Sequence, residues 1–282
     1  MNSIKTVLLL GTLTGLLLWA GEVFGGRSGL TLALVLAGVL NMASWFFSDK
    51  IALAAHRAQP VTEAEAPELH SIVAELTQNA GLPMPRLYLI PEMQPNAFAT
   101  GRGPSHAAVA VTQGLLQTMD REELKGVLAH ELGHVKHRDI LISSIAATLA
   151  GAVTFIARMA GWALMFGGGR DERGGGGALG GLLFYLVAPI AALLIQLAVS
   201  RSREFAADAE GARIAGTPLG LASALRKLGS YTARVPMRTA RPNTAHMMIA
   251  NPFGGKGMMA LFATHPPIEE RIRRLEAMAR GQ

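Results

Sequence analysis

Two histidines four residues apart, His130 and His134, have a glutamate, Glu131, between them, and these three side chains could carry out metal-dependent hydrolysis. On an α-helix, residues i and i+4 lie on one face, so both imidazoles can reach one metal ion while the carboxylate reaches the metal's water. Zinc lowers the pKa of such a water to about 7, and a glutamate outside the ligand set can take its proton during attack on a carbonyl. The spacing therefore predicts a zinc hydrolase site.

A catalytic zinc site of this kind needs a third protein ligand and an open fourth position. The metzincin pattern would place its third ligand six residues after His134, where this chain has Ile140, so that class is excluded. His137 shares the ligand face of the helix, but we expect it to lie one turn too far along to close a compact site.

A second acidic segment offers the better third ligand. Glu204 and Asp208 are four residues apart and share one face of a predicted helix. We expect Glu204 to bind the metal, while Asp208 could accept the other N–H of a ligand histidine and fix its tautomer. Asp208 and Glu210 remain competitors for the third position. The other alternative is that the charged residues of this segment form an ordinary solvent-exposed helix face.

The helix that carries the histidines has a clear start in the sequence. Asp120 and Glu123 have the spacing of a capping box, and Leu124 and Val127 begin an apolar stripe at helical spacing. Gly133 removes a side chain beside the second histidine, which would let another helix approach closely. The sequence therefore predicts a buried helix at the centre of the site.

The residues before this helix read as one helix and a small sheet. Thr62 is expected to begin a helix with an apolar stripe, which ends near Gly81. The segments 86–90, 96–101 and 106–112 are short, rich in β-prone residues and bounded by Pro or Gly, which is typical of strands.

Five motifs occur in order along most of the chain: Asn96-Ala-Phe-Ala-Thr-Gly101, Val109-Ala-Val-Thr-Gln-Gly-Leu115, His130-Glu-Leu-Gly-His134, Arg201-x-x-Glu204-x-x-Ala207-Asp208 and Thr264-His-Pro-Pro-x-x-Glu-Arg-Ile272. Together they resemble peptidase family M48, a family of membrane zinc peptidases. The resemblance implies that His130, His134 and Glu204 bind one Zn²⁺ per chain and that Glu131 is the catalytic base.

The resemblance also points to a substrate-binding sheet edge at Asn96, Ala97, Phe98 and Ala99. An exposed edge strand can bind an extended peptide by strand addition, although for Phe98 a place in the core is the better expectation. His265 precedes the last predicted helix in a rigid turn. It could be a catalytic residue that stabilises the developing oxyanion or a structural residue of the turn, and the sequence leaves both open.

Composition indicates a membrane protein, since 50% of the 282 residues are hydrophobic and 16% are charged. The segments 6–21, 28–48, 140–157 and 178–200 contain no charged residue, and a membrane-spanning helix needs about 20 mainly apolar residues. A cleaved signal peptide is disfavoured for the first segment, because no small-x-small cleavage site follows its apolar core. Arg158 interrupts the third apolar stretch, so a buried soluble hairpin is the alternative for the second pair.

We therefore expect a mainly α fold with a small β-sheet (α+β): a zincin-like (gluzincin) catalytic domain with four transmembrane helices in two hairpins. Residues 1–48 would form the N-terminal transmembrane hairpin and residues 140–200 the second one. Residues 49–139, with the histidine-bearing helix, and residues 201–282, with the third zinc ligand, would fold together as one catalytic domain.

The distribution of positive charge predicts the orientation. With four spans, 22 of the 26 Lys and Arg residues lie on the same side as the N-terminus, which makes the catalytic side cytosolic. The chain has no Cys, which excludes disulfides and thiolate metal sites and agrees with a reducing compartment. The sequence contains no motif of basic and aromatic residues, so we expect no nucleic-acid partner.

The resemblance further implies an integral-membrane zinc endopeptidase of the bacterial inner membrane that cleaves misfolded or damaged membrane proteins. Quality control, stress response and partnership with an ATP-dependent membrane protease belong to the same expectation. One alternative is a CAAX-type prenyl-protease, disfavoured because four candidate spans are too few for its chamber. The other is a zinc-binding membrane scaffold or regulator without turnover, disfavoured because such a protein would have no chemical need for Glu131.

Overall fold

The structure is a computed structural model that describes residues 2–143, 145, 201–232, 247–249 and 266–281. In chain order its elements are α1 (Asn2–Ala55), β1 (Gln59–Pro60), α2 (Pro67–Ala80), β2 (Arg86–Ile90), β3 (Ala97–Gly101), a 3-10 turn (Pro104–His106), β4 (Ala107–Thr112), α3 (Gln113–Thr118), α4 (Arg121–Lys136), α5 (Arg201–Ala215), α6 (Leu219–Thr232) and α7 (Ile268–Ala279). The predicted combination of a mainly helical fold with a small sheet is confirmed.

The long first element, α1, is two helices joined by a sharp reversal. Gly26 has φ 53° and ψ −140°, a conformation that costs glycine little because it lacks a Cβ atom. Beyond this turn the two halves touch, since a Cβ atom on Gly21 would lie 2.5 Å from the carbonyl oxygen of Gly29. Further along, Asn41 Nδ2 donates a hydrogen bond to Thr14 Oγ1 at 3.0 Å. The halves of α1 therefore run antiparallel.

One window within the described residues, Gly26–Ala43, is long and apolar enough to cross a membrane, with a mean hydropathy of 1.3. The two spans predicted before residue 49 lie on the two halves of α1. The second predicted pair, within 140–200, lies outside the described residues except for its first few positions. The expected four membrane spans are therefore not confirmed.

Helix α2 begins five residues later than predicted. The Glu65 carboxylate accepts hydrogen bonds from the N–H and hydroxyl of Thr62, which closes a turn ahead of the helix. Pro67 then takes the first helical position, where its fixed φ suits a helix and its missing N–H costs nothing. The helix ends as predicted at Gly81, with φ 68°. Its apolar stripe is buried: Leu69, Ile72, Val73 and Leu76.

The strands form one mixed sheet in the order β1-β2-β4-β3. Strand β2 has the predicted bounds, whereas β3 and β4 each begin one residue later than predicted. Strands β2 and β4 are parallel, and β3 runs antiparallel to β4 with Ala99 opposite Val109. Strand β1, which we did not predict, pairs antiparallel with β2. The order leaves β3 at one edge of the sheet, where it contacts α4.

Helix α4 forms the centre of the fold and packs against α2, α5 and α6. Asp120 and Glu123 make the predicted capping box in both directions. Close contact with α5 depends on small residues, because a Cβ atom on Gly133 would lie 3.0 Å from the carbonyl oxygen of Ala207. A Cβ atom on Gly211 would lie 2.9 Å from the Cα of His130. The second glycine was not singled out by the sequence, but it fixes the approach of the two helices as firmly as the first.

Candidate metal centre

Helices α4 and α5 bring the predicted ligands together. His134 Nε2 lies 3.4 Å from Glu204 Oε1, and His130 Nε2 lies 3.7 Å from Glu204 Oε2. The two imidazole rings meet edge to face, with 4.8 Å between their centroids. The side chains of His130 and Glu204 are almost fully buried, whereas His134 retains slight exposure.

These three residues could hold one metal ion, since one ligand atom from each lies within 4.8 Å of the other two. A tetrahedral zinc ion with bonds of about 2.0–2.1 Å keeps its ligand atoms roughly 3.3 Å apart, close to the separations seen here. The donor set of two imidazoles and one carboxylate is one that zinc accepts in catalytic sites. The geometry and chemistry of His130, His134 and Glu204 therefore fit zinc.

The outer nitrogen of each imidazole faces a carboxylate. His130 Nδ1 lies 2.9 Å from Asp208 Oδ1, the arrangement expected from the sequence. His134 Nδ1 lies 3.4 Å from Asp139 Oδ2, and sequence reasoning missed this partner. When an imidazole is neutral and its Nδ1 proton is directed at the carboxylate, its Nε2 lone pair faces Glu204.

The position of Asp139 depends on a sharp turn after α4. Arg138 has φ 60°, a left-handed conformation that a non-glycine residue adopts at a cost of about 1–2 kcal/mol. This turn ends the helix and returns the next residue toward His134. The sequence feature that could have indicated this partner is an aspartate, Asp139, three residues after the end of the histidine-bearing helix.

Arg271 on α7 is a second group that sequence reasoning missed. Its side chain is fully buried, and its Nε and Nη2 donate to Asp208 Oδ2 and Oδ1 at 2.9 and 2.7 Å. Nη1 donates to the carbonyl oxygen of Ile249 at 3.3 Å. Nη2 also lies 3.3 and 3.4 Å from the two ring nitrogens of His130, so it rests against the ring and is not aligned with either lone pair. The motif that ends in Ile272 contained the signal for this residue.

Burial and the neighbouring charged side chains shift the pKa values of the two histidines in opposite directions. Burial, helped by the positive charge of Arg271, lowers the pKa of His130 to about 4. Burial also acts to lower the pKa of His134, but the charge of Glu204 and the hydrogen bond to Asp139 outweigh it and raise that pKa to about 9. These directions favour a neutral His130 and a protonated His134 at neutral pH when no metal is bound. A metal ion must therefore displace a proton from His134.

Glu131 is buried beside the ligands, and its carboxylate is attached to the sheet. Its Oε2 accepts a hydrogen bond of 2.8 Å from the N–H of Ala99. The carbonyl of Asn96 accepts from Thr112 on β4, so by strand alternation the backbone groups of Ala97 and Ala99 face away from β4. Glu131 thus lies between the predicted ligands and the outer edge of β3.

The predicted substrate-binding segment is partly engaged by the protein itself. The side chain of Asn96 accepts a hydrogen bond from the N–H of Ala97, and the carbonyl of Ala97 accepts one from Ile249 at 3.1 Å. Phe98 is fully buried, with its ring 5.4 Å from that of His56. The side chain of Phe98 therefore belongs to the core.

Other candidates lie away from the ligands or outside the described residues. Glu210 forms ion pairs with Lys136 and Arg213 at 2.9 and 2.6 Å, and does not join the histidines. His137 is exposed beyond the end of α4. His265 lies outside the described residues, and the structure gives no position for it.

A small cavity adjoins the three candidate ligands. One wall is formed by Ala99 of β3 and by Met247 and Ile249. Ile140 and Ser143, at the start of the segment predicted to enter the membrane, also line the cavity. A substrate group in this cavity would contact the ligands, Glu131 and the edge strand together.

The profile of Peptidase family M48 matches residues 63–279 of this chain. The chain belongs to peptidase family M48. Proteins named Protease HtpX homolog from Persephonella marina and Syntrophobacter fumaroxidans are 56% and 57% identical to it, over 99% and 97% of this chain and 98% of each relative. The crystal structure of S. mikatae Ste24p is similar in fold, with a TM-score of 0.53 and 21% identity over 98% of this chain. This chain spans 65% of the length of that solved chain.

Membership of family M48 identifies the metal that these residues bind and the reaction that the site catalyses. The protein is a membrane zinc metallo-endopeptidase, and Zn²⁺ is its cofactor. The family is one of peptidases, which favours catalysis over the alternative of a scaffold without turnover.

Proposed function

We propose that this M48 site hydrolyses peptide bonds with His130, His134 and Glu204 as the zinc ligands and Glu131 as the catalytic base. The observation that carries the proposal is the approach of both Nε2 atoms to the Glu204 carboxylate, with the Glu131 carboxylate alongside. When bound, zinc would polarise the scissile carbonyl and acidify the attacking water. Asp208 would orient the imidazole of His130 from behind.

Glu131 would move the protons. Its carboxylate takes one from the attacking water and delivers it to the nitrogen of the leaving amine. The hydrogen bond from the N–H of Ala99 supports this role, because it holds the carboxylate in place before substrate arrives. We include His265 as the donor to the developing oxyanion on the strength of its motif alone.

The edge strand would bind the peptide backbone through Asn96, Ala97, Phe98 and Ala99. The outward direction of the backbone groups of Ala97 and Ala99 supports strand addition at this edge. The fully buried ring of Phe98 would contribute by packing and not by touching the peptide. A peptide that pairs at Ala97 must displace Ile249 from its carbonyl and the Asn96 side chain from its N–H. The N–H of Ala99 would stay with Glu131, so at Ala99 the peptide would pair through the carbonyl.

The protein would cross the membrane with two hairpins, residues 1–48 and 140–200, and fold residues 49–139 with 201–282 into one cytosolic catalytic domain. The antiparallel halves of α1 and the distribution of Lys and Arg support this topology. Because the chain has no cysteine, single cysteines introduced in place of Arg57 and Arg173 can report sidedness in intact cells. An impermeant maleimide should label only the cysteine at 173. Labelling of the cysteine at 57 would mean that the proposed orientation is wrong and that the catalytic domain faces outward.

The substrates would be misfolded or damaged membrane proteins of the bacterial inner membrane, cleaved in quality control during stress. The position of Ile140 and Ser143 in the cavity wall supports delivery from the membrane side, because these residues begin the second proposed hairpin. Partnership with an ATP-dependent membrane protease rests on the family resemblance.

The decisive experiment compares wild type with Glu131→Gln, purified in detergent with chelator and then reloaded with zinc, on unfolded casein. Both should bind one zinc per chain, and only wild type should cleave. Glu122→Gln is the matched control, since Glu122 lies exposed on the same helix. Cleavage by Glu131→Gln would refute the proposed base, whereas failure of wild type and control to cleave despite bound zinc would refute proteolysis of unfolded chains.

A further inference from the structure

A second, wider groove lies between the end of α1 and the sheet, away from the metal centre. It encloses about 1200 Å³, counting the part open to solvent. Its basic wall is formed by Lys50 of α1, Arg86 of β2 and Arg102 of the turn after β3. Its apolar wall includes Met42 and Phe46 of α1. The groove thus combines positive charge with an exposed hydrophobic surface.

All three cations lie over aromatic rings, Arg86 over that of Tyr88 at 5.9 Å. Lys50 Nζ lies 5.5 Å from the centroid of the Phe47 ring, and the Arg102 guanidinium lies 5.3 Å from that of Phe46. Arg86 is paired with Asp49 at 2.7 Å. Among the described residues, neither Lys50 nor Arg102 forms an ion pair with a carboxylate. The groove therefore carries uncompensated positive charge, held in place by the aromatic rings.

The groove lies at the level expected for lipid headgroups. The uncharged stretch of α1 continues to Ser48, and Lys50 follows about 3 Å further along the helix at 1.5 Å per residue. The headgroup layer extends roughly 5–8 Å beyond each face of the hydrocarbon core. Trp and Tyr are enriched at this boundary, and Trp45 of α1 is 40% exposed here. Met42 remains 65% exposed, which is costly in water and neutral against an acyl chain.

We propose that this groove binds an anionic phospholipid, an inference that rests on the proposed membrane topology. The phosphate would contact Lys50 and Arg102, and an acyl chain would lie along Met42 and Phe46 of α1. Basic pockets next to membrane helices are suited to anionic headgroups, and each cation near an anionic surface contributes about 1 kcal/mol. A zwitterionic lipid offers the same phosphate, but its own ammonium group offsets the charge.

The position of Arg102 gives the bound lipid a link to the metal centre. Arg102 follows the last residue of β3 directly, and the N–H of Ala99 on the same strand holds Glu131. A lipid held by Arg102 would therefore anchor the edge strand to the membrane surface.

The test uses the full chain in a zwitterionic detergent, titrated with phosphatidylglycerol or phosphatidylcholine. Native mass spectrometry counts bound lipid, and a thermal melt reports stabilisation. Phosphatidylglycerol should remain bound and raise the melting temperature, and phosphatidylcholine should do neither. The double variant Lys50→Gln, Arg102→Gln should bind phosphatidylglycerol at least tenfold more weakly. Arg280→Gln, exposed at the end of α7, is the matched control and should bind as wild type does.

Equal retention of the two lipids by wild type would overturn the proposal without reference to any variant. Undiminished binding of phosphatidylglycerol by the folded double variant would overturn the placement of the phosphate. Inorganic phosphate separates a lipid site from a simple anion site. It should not reproduce the stabilisation, because the acyl chain contributes part of the binding, and equal stabilisation by phosphate would refute a lipid ligand.

Discussion

Replacing Arg271 by Met tests how the metal centre is supported from behind. Methionine can fill similar space but donates no hydrogen bond, so Asp208 would lose both contacts of 2.7–2.9 Å. Removing one partner of a buried ion pair costs about 3–5 kcal/mol. We expect a cost at the lower end of this range, because Asp208 keeps its contact with His130. Without the nearby guanidinium, Asp208 can also become protonated, which removes its buried charge. Zinc affinity should fall about tenfold, the lower limit for an outer-shell partner, since Arg271 is not a ligand and acts through Asp208 and through its ion pair with Glu204 at 3.8 Å.

Zinc affinity is measured by competition with a chelator of known affinity, and stability by thermal melts with and without zinc. At about 2–4 °C per kcal/mol, the melting temperature of the Arg271→Met variant should fall by roughly 6–12 °C. Arg271→Lys keeps the charge but not the two-pronged geometry and should recover part of both losses. Arg273→Met on the exposed face of the same helix is the control. Wild-type zinc affinity and melting temperature in Arg271→Met would refute the reasoning, because Asp208 would then be held without Arg271.

Three further predictions follow from the same geometry. Glu204→Ala should lose more zinc affinity than Asp208→Ala, because it removes a ligand and not an orienting partner, and the reverse order in chelator competition would mean that the third ligand is misassigned. The pKa of His134 is raised from 6.5 to about 9 without metal, and zinc must displace this proton, so zinc affinity should rise about tenfold per pH unit from pH 6.5 to 9. In the metal-free protein, the stability contributed by protonated His134 should be lost as the pH rises over the same range. A flat affinity profile measured by chelator competition would show that His134 is not protonated. Gly211→Ala should destabilise the protein by about 1–3 kcal/mol and weaken zinc binding, because its Cβ would press on the backbone of α4, whereas Gly103→Ala meets no atom and should leave both unchanged in thermal melts.

Features encoded by neighbouring residues could be predicted well from the sequence. The capping box of Asp120 and Glu123 sets the start of α4, and the left-handed Gly81 sets the end of α2. The i, i+4 spacing of His130 and His134 places both imidazoles on one helix face, whatever the rest of the fold does. These predictions succeeded because each depends on the geometry of a single element.

Features that depend on contacts between elements were missed. Asp139 reaches His134 only because Arg138 adopts a left-handed conformation, which nothing in its residue type favours. Arg271 comes from a helix 63 residues after Asp208 and is distinguished from Arg273 only by the face that α7 buries. Periodicity alone could not say which of several arginines would be buried.

The contacts around the site show that packing between elements helps to organise it. Gly133 and Gly211 bring the backbones of α4 and α5 within contact of each other, so the separation of the ligand-bearing helices is set by backbone shape and not by the ion. Ala99 fixes the position of the Glu131 carboxylate from the sheet. Such a centre differs from a zinc finger, where the metal supplies the free energy of folding. Here the contacts of α4 with α5 and with β3 contribute to the arrangement of the ligands and of Glu131 independently of the ion.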